Sequence, residues 1–190
     1  GGSILGAKAI FSFLKKKVRK KIIFFDNLSP FFSIDKKKDV LNIIISKSGN
    51  TLETISNVNN IIQKNQKSIF IIEKNKSYLR LLAEKMKSEV IDHNNFIGGR
   101  YSVLSEVGML PASLVGLNEK KFKQYNYLIQ KKSFINSLIQ NVNNILLFIK
   151  HKRFNSIIIN YDECADDLFK WYQQLVGESL GKKQKGIFPS

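Results

Sequence analysis

The residues best suited to chemistry lie in VLNIIISKSGNTLETISNVNNII, positions 40–62. An apolar run ends at Ser46, and a corner of small and polar residues follows: Ser46, Lys47, Ser48, Gly49, Asn50 and Thr51. Helical periodicity resumes after it. In an open parallel sheet, ligands bind beyond the carboxyl ends of the strands. A helix starting near Asn50 or Thr51 aims its free N–H groups and positive dipole end at such a corner. Ser46, Ser48 and Thr51 add hydroxyls, Gly49 permits close backbone approach and Lys47 adds charge, a set suited to phosphate or another anion. The nucleotide-binding pattern G-x-x-x-x-G-K-[ST] is absent from the sequence. An ordinary helix start explains the same residues equally well, with Asn50 as N-cap and Glu53 closing a capping box.

Other segments carry similar potential. GGSILG, positions 1–6, reads as a strand-to-helix turn whose strand has been cut away. Gly1 and Gly2 allow tight approach and Ser3 falls at the helix start, although a glycine turn with an N-cap serine needs no ligand. In GGRYS, Arg100 follows Gly98 and Gly99. Such an arginine is either surface decoration or a stabiliser of a developing oxyanion. In WYQQLVGESLGKKQKG, Glu178 stands beside Gly177, just after an expected helix. It is either a solvated helix end or, held on a turn at a cleft, a general base.

The elements that must position these residues alternate along the chain. Helices are expected over 4–15, 33–39, 51–64 and 77–87, and strands over 21–25, 40–46, 68–72 and 90–91. In the helix over 51–64, Ile55, Val58, Ile61 and Ile62 form an apolar side. This is the alternation of an α/β fold, a doubly wound parallel sheet with helices on both faces. IGGRYSVLSEVGMLP reads as a loop rich in Gly and Ser. Helices over 119–130 and 133–150, a strand over 156–161 and a helix over 166–176 follow.

The composition narrows the class of protein. With 190 residues and 43% hydrophobic content, the chain can build a core. Its longest apolar runs, such as IIFF and NILLFI, are too short to span a bilayer. The chain begins without Met or a recognisable leader and is read as a fragment of a longer protein. One cysteine, Cys164, rules out an internal disulfide framework, and His93 and His151 lie far apart without ligand spacing. A reduced, cytoplasmic setting is expected. The net charge of +16 raises nucleic-acid binding as a possibility. The lysines are nevertheless spread along the chain, and the densest run, KKKVRKK, sits where the first helix should end and where cations suit the dipole. It lacks the aromatic interleaving of single-strand binders.

In their order, these segments resemble the glucose-6-phosphate isomerase (phosphoglucose isomerase) family. GGSILG is similar to that family's G-I-G-G-S-x-L-G turn, and SKSGNTLET to its S-K-T-x-T-T-x-E-T phosphate loop. GGRYSVLSEVGMLP resembles G-G-R-F-S-x-x-S-x-V-G-x-x-P, and WYQQLVGESLGKKQKGIFP resembles Q-x-x-x-E-S-x-G-K. The last two patterns are specific, and the segments follow one another in order over nearly the whole chain. Ser48, Gly49 and Asn50 depart from the family's Thr-x-Thr. The S-x-S-G-x-T form is shared by the wider sugar-isomerase (SIS) domain superfamily of phosphosugar binders.

The resemblance implies an SIS-type three-layer αβα sandwich over 1–153, lacking its first strand, and the start of a second, larger α/β domain over 154–190. It implies a sugar phosphate as substrate, interconverted between glucose 6-phosphate and fructose 6-phosphate through a cis-enediolate. Glu178 would be the base and Arg100 the stabiliser of the enediolate oxygen. Ser3, Ser46, Ser48 and Thr51 would hold the phosphate, assisted by Gly2, Lys47 and backbone N–H groups. No metal or organic cofactor is implied. The family's ring-opening histidine and late lysine would fall beyond Ser190, and neither His93 nor His151 sits in a matching motif. A homodimer is implied for the full-length protein, with no nucleic-acid or membrane partner. The 190-residue chain is expected to be inactive alone, since a missing central strand leaves hydrogen-bonding groups unpaired. A non-enzymatic SIS-domain phosphosugar sensor would keep the Ser/Thr corner but has no reason to keep GGR and GES together. A nucleic-acid-binding module would bind with steep salt dependence.

Overall fold

The computed structural model describes residues 2–28, 39–63, 65–181 and 186–190. The chain divides into two compact units, Gly1–Ala7 with Lys20–Pro111 and Lys8–Arg19 with Ala112–Ser190.

The first unit receives the start of helix α1 (Ser3–Phe13). Its centre is a parallel sheet of β1 (Leu41–Ile45), β2 (Lys67–Glu73) and β3 (Glu89–His93), in that order. Helix α2 (Leu52–Ile61) links β1 to β2, and α3 (Tyr78–Lys85) links β2 to β3. Parallel neighbours require crossovers of this kind. LNIII and KSIFIIE are rich in the β-branched residues that suit a pleated surface. The register pairs Ile44 with Phe70 and Ile71 with Ile91.

Side-chain alternation then decides which residues build the core. On one face Ile44, Phe70 and Ile72 pack with Val58 of α2 and with Leu79 and Ala83 of α3. Ile55 and Ile62 join this cluster at helical spacing from Val58, so the apolar side of α2 faces the sheet as the sequence indicated. Ile71 points the other way and is also fully buried. Both faces of the central strand are thus covered, as an uninterrupted apolar strand in a parallel sheet demands. This is the expected α/β architecture. Phe70 has no exposed surface. Phe70→Ala should destabilise the protein by about 3–5 kcal/mol, measured by denaturant unfolding, and a loss under about 1 kcal/mol would contradict this core.

After β3 comes a 3-10 turn, Gly99–Leu104, then helix α4 (Glu106–Leu114), which carries Pro111 and continues into the second unit. The segment read as a Gly/Ser loop is therefore largely helical. Its serines bond locally: Ser102 Oγ donates to the Gly99 carbonyl and Ser105 Oγ to the Ser102 carbonyl, both at 2.7 Å. Ser105 Oγ also accepts the Val107 N–H at 3.3 Å. Serine hydroxyls that bond neighbouring backbone serve helix starts as well as loops, and here they serve a helix.

The second unit holds α5 (Glu119–Phe122), α6 (Asn126–Gln130), α7 (Lys132–Lys150), β4 (Asn155–Ser156), α8 (Asp166–Leu180) and β5 (Phe188–Pro189). Strands β4 and β5 pair in parallel. Ala9, Ile10 and Phe11 of α1 are buried, as are Ala112, Val115, Leu117 and Ala165. Among the described residues, no helix is long and apolar enough to cross a membrane.

Other expectations are corrected. Residues 21–25 form no strand, and Ile23 is 58% exposed. A short apolar burst has no period of its own and follows a run of cations, so nothing in it selects a face to bury. The strand expected over 156–161 is limited to Asn155–Ser156, with Ile157, Ile159 and Tyr161 exposed. The Ile158 N–H donates to the Ser190 carbonyl at 2.9 Å. The helix expected over 119–130 is interrupted by a 3-10 turn, Lys123–Tyr125. The helix expected over 33–39 lies outside the described residues except for Asp39, and the end of the 51–64 helix at Lys64 also lies outside them.

Candidate functional site

The corner after β1 is built by its own hydroxyls. Ser46 continues the ladder of β1, its N–H donating to the Ile71 carbonyl at 3.1 Å. Its buried Oγ accepts the Gly49 N–H at 3.2 Å and lies 3.0 Å from Thr51 Oγ1. Ser48 Oγ accepts the Asn50 N–H at 3.2 Å. Gly49 has φ +68°, a left-handed conformation that favours glycine. Thr51 is the N-cap of α2, and its side chain makes no capping hydrogen bond. The first N–H groups of α2 therefore open toward the corner without a Thr51 hydroxyl across them.

Asn50 does not cap α2, and the expected capping box is not formed. Its Oδ1 instead accepts the Tyr78 N–H at 2.9 Å, at the start of α3. The Gly49 carbonyl takes the next donor, the Leu79 N–H, at 3.0 Å. The corner thus satisfies the first turn of the following helix, a tertiary demand that outweighs the local one. Sequence spacing holds no signal for it, because the partners lie on different crossovers.

Lys47 points along the carboxyl ends of the sheet. Its Nζ donates to the Asn95 carbonyl at 2.7 Å, in the loop after β3, and stands 3.4 Å from Glu73 Oε1 at the end of β2. The ammonium therefore ties the corner to the loop that leads into GGRYS. Gly2 forms the turn before α1, and Ser3 is the first residue of that helix. A Cβ on Gly99 would fall 2.9 Å from Ser3 Oγ and 3.3 Å from the carbonyl carbon of Gly2. The close approach at residue 99 suits a glycine, and it seats Gly2 and Ser3 against the GGR turn. Gly1 lies outside the described residues. Arg100 is half-buried, with its guanidinium carbon 4.8 Å from the centre of the Tyr101 ring.

Glu178 belongs to the second unit. It lies within the last turn of α8, not on a turn beyond it. Gly177 does not stop the helix: a Cβ there would meet nothing within 4 Å. The stop is Gly181, the C-cap, whose N–H donates to the Gly177 carbonyl at 3.0 Å. Glu178 is exposed, and Gln174 Nε2 donates to its Oε1 at 2.9 Å. Lys182, in the G-K part of that motif, lies outside the described residues.

One contact in this region has no counterpart in the sequence pattern. His93, the last residue of β3, is buried. Its Nδ1 meets Glu106 Oε1 and its Nε2 lies 3.2 Å from the Ile97 carbonyl oxygen. The partners sit on either side of the Arg100 turn, a separation without any local period. Among the described residues, no group of three or more His, Cys, Asp or Glu side chains could hold a metal ion.

Comparison with known proteins bears on this geometry. The phosphoglucose isomerase family model matches residues 1–186. The glucose-6-phosphate isomerase of Methanocaldococcus jannaschii is 34% identical over 206 residues, covering 100% of this chain and 51% of that protein. That of Mycoplasma genitalium is 33% identical over 214 residues, covering 100% of this chain and 49% of its own length. The chain spans about half the length of the curated relatives it matches. The crystal structure of a hypothetical protein from Thermus thermophilus matches with a TM-score of 0.78 at 24% identity, covering 100% of this chain and 50% of that one. That likeness speaks to the fold alone.

Proposed function

The chain belongs to the phosphoglucose isomerase family, and from that premise we propose that the whole protein interconverts glucose 6-phosphate and fructose 6-phosphate. The observation that carries the reading is the arrangement at the carboxyl ends of one parallel sheet. There the GGS and GGR turns touch at Ser3 and Gly99, and Lys47 ties the Ser/Thr corner to the loop before Arg100. Ligands of open parallel sheets bind at that edge.

In this reading the substrate phosphate rests on the first N–H groups of α2, with the Ser48 and Thr51 hydroxyls and Ser3 as further donors. Ser46, buried and bonded to Thr51, orients that hydroxyl. Gly2 keeps the backbone approachable, and Lys47 contributes positive charge from its place beside Asn95. Anchoring a non-reacting phosphate fixes the carbons that react. Glu178 removes a proton from one of the sugar's first two carbons and returns it to the other, through a cis-enediolate. Arg100 stabilises the charge that develops on the enediolate oxygen. Residues 1–153 act as the phosphosugar-binding domain, and 154–190 open the larger one. The full-length protein works as a cytoplasmic homodimer in sugar-phosphate metabolism, and the present chain alone is inactive.

The phosphate assignment is tested by Ser48→Ala combined with Thr51→Ala in the full-length protein. Loss of hydrogen bonds to a charged group should raise KM for fructose 6-phosphate about 10- to 100-fold, with kcat less affected. An unchanged KM would remove the corner from the phosphate site.

A further inference from the structure

We propose that His93 is a positioning residue for Arg100, an inference that rests on the reading of Arg100 as the enediolate stabiliser. His93 ends β3 and is 4% exposed, so its ring is fixed by the sheet that bears it. Its two ring nitrogens face two different segments. Nδ1 meets the carboxylate of Glu106, the first residue of α4. Nε2 lies 3.2 Å from the carbonyl oxygen of Ile97, directly before Gly98, Gly99 and Arg100. One buried ring therefore clasps the chain ahead of the Arg100 turn and again behind it.

The turn needs such a clasp. Gly98 and Gly99 give the backbone before Arg100 more freedom than any other residue pair would. Gly99 also lies close against Ser3, where an added Cβ would fall 2.9 Å from its Oγ. A displacement of about 1 Å at a group acting on a reacting atom can cost about 100-fold in rate. The phosphate corner has supports of its own, in Ser46, Thr51 and the start of α3, besides the Lys47 contact with Asn95. Loosening the clasp should therefore disturb the chemical step more than substrate affinity. A histidine that merely fills the core would lower stability without separating kcat from KM.

The test is a double-mutant cycle in the full-length protein, with isomerisation of fructose 6-phosphate as the assay. His93→Leu alone should lower kcat about 10- to 100-fold, with KM within about threefold of wild type. Arg100→Lys alone should lower kcat about 100-fold or more. Adding His93→Leu to Arg100→Lys should lower kcat less than about threefold further, because the group that His93 positions is already gone. Equal losses from His93→Leu in both backgrounds would overturn the proposal and leave the isomerase reading standing. Wild-type turnover in Arg100→Lys would overturn both the clasp and the stabilising role of Arg100. If His93→Leu does not fold, Glu106→Ala serves in the same cycle, since it releases one anchor and leaves Ile97 held. A smaller loss that vanishes in the Arg100→Lys background supports the clasp, and a loss of equal size there overturns it.

Discussion

Glu178→Gln in the full-length protein is expected to cut turnover of fructose 6-phosphate at least about 100-fold, the low end of what a positioned general base contributes. Glutamine has the shape of glutamate and keeps an oxygen that can accept the bond now made by Gln174 Nε2 at 2.9 Å. It cannot take a proton from carbon. Glu178 is exposed in the last turn of α8, so the exchange opens no core cavity. KM should stay near its wild-type value, because the proposed phosphate contacts come from other residues. Steady-state kinetics of the paired enzymes reads both quantities, and a variant with near-normal turnover would remove Glu178 from the mechanism.

Gly49→Ala should have the largest effect on the corner after β1 through the fold itself. Its φ of +68° is left-handed, which costs a residue with a Cβ about 1–2 kcal/mol. The new Cβ would lie 2.2 Å from Ser77 Oγ, 2.6 Å from Ser77 Cβ and 2.8 Å from Ile72 Cγ2. Ile72 is fully buried and Ser77 is the N-cap of α3, so neither can swing aside. Overpacking of this kind adds about 1–3 kcal/mol, for a total of about 2–5 kcal/mol. Any shift that relieves the clash also pulls the Gly49 carbonyl and Asn50 Oδ1 from the N–H groups of Leu79 and Tyr78. Thermal unfolding should show a clear loss of stability, and KM for fructose 6-phosphate should rise. A variant that melts and binds like wild type would contradict the described corner.

The strands and crossovers of the first unit were legible because two periods alternate clearly in the sequence. Bursts such as NIII and SIFII fit strands buried on both faces, and Ile55, Val58 and Ile62 recur at helical spacing. The stretch over 21–25 shares the apolar content, and it forms no strand. Residues 156–161 carry the apolar run Ile157 to Ile159, yet pairing depends on a second segment that no local pattern reveals. Helix ends were misread where a signal had two possible owners. Gly177 looked like a stop, while Gly181 has the stopping role. Asn50 looked like a cap for the helix that follows it, while its side chain caps α3.

The candidate site was legible to the same depth. Its residue types and spacing fit an anion cradle at Ser46, Ser48 and Thr51 and an ordinary helix start equally well, because strand ends, glycine and hydroxyls have local chemical meaning in both. What holds this corner and the Arg100 turn in place was hidden. Lys47 reaches Asn95, Gly99 abuts Ser3, and His93 joins Ile97 to Glu106. Each of these contacts joins segments that lie apart in sequence, and only folding of the sheet brings them together.

Isomerisation of fructose 6-phosphate by the full-length protein that contains this chain is the most direct measurement. The account predicts that glucose 6-phosphate accumulates toward equilibrium without any added cofactor. A folded protein that binds the sugar phosphate yet forms no glucose 6-phosphate would contradict it.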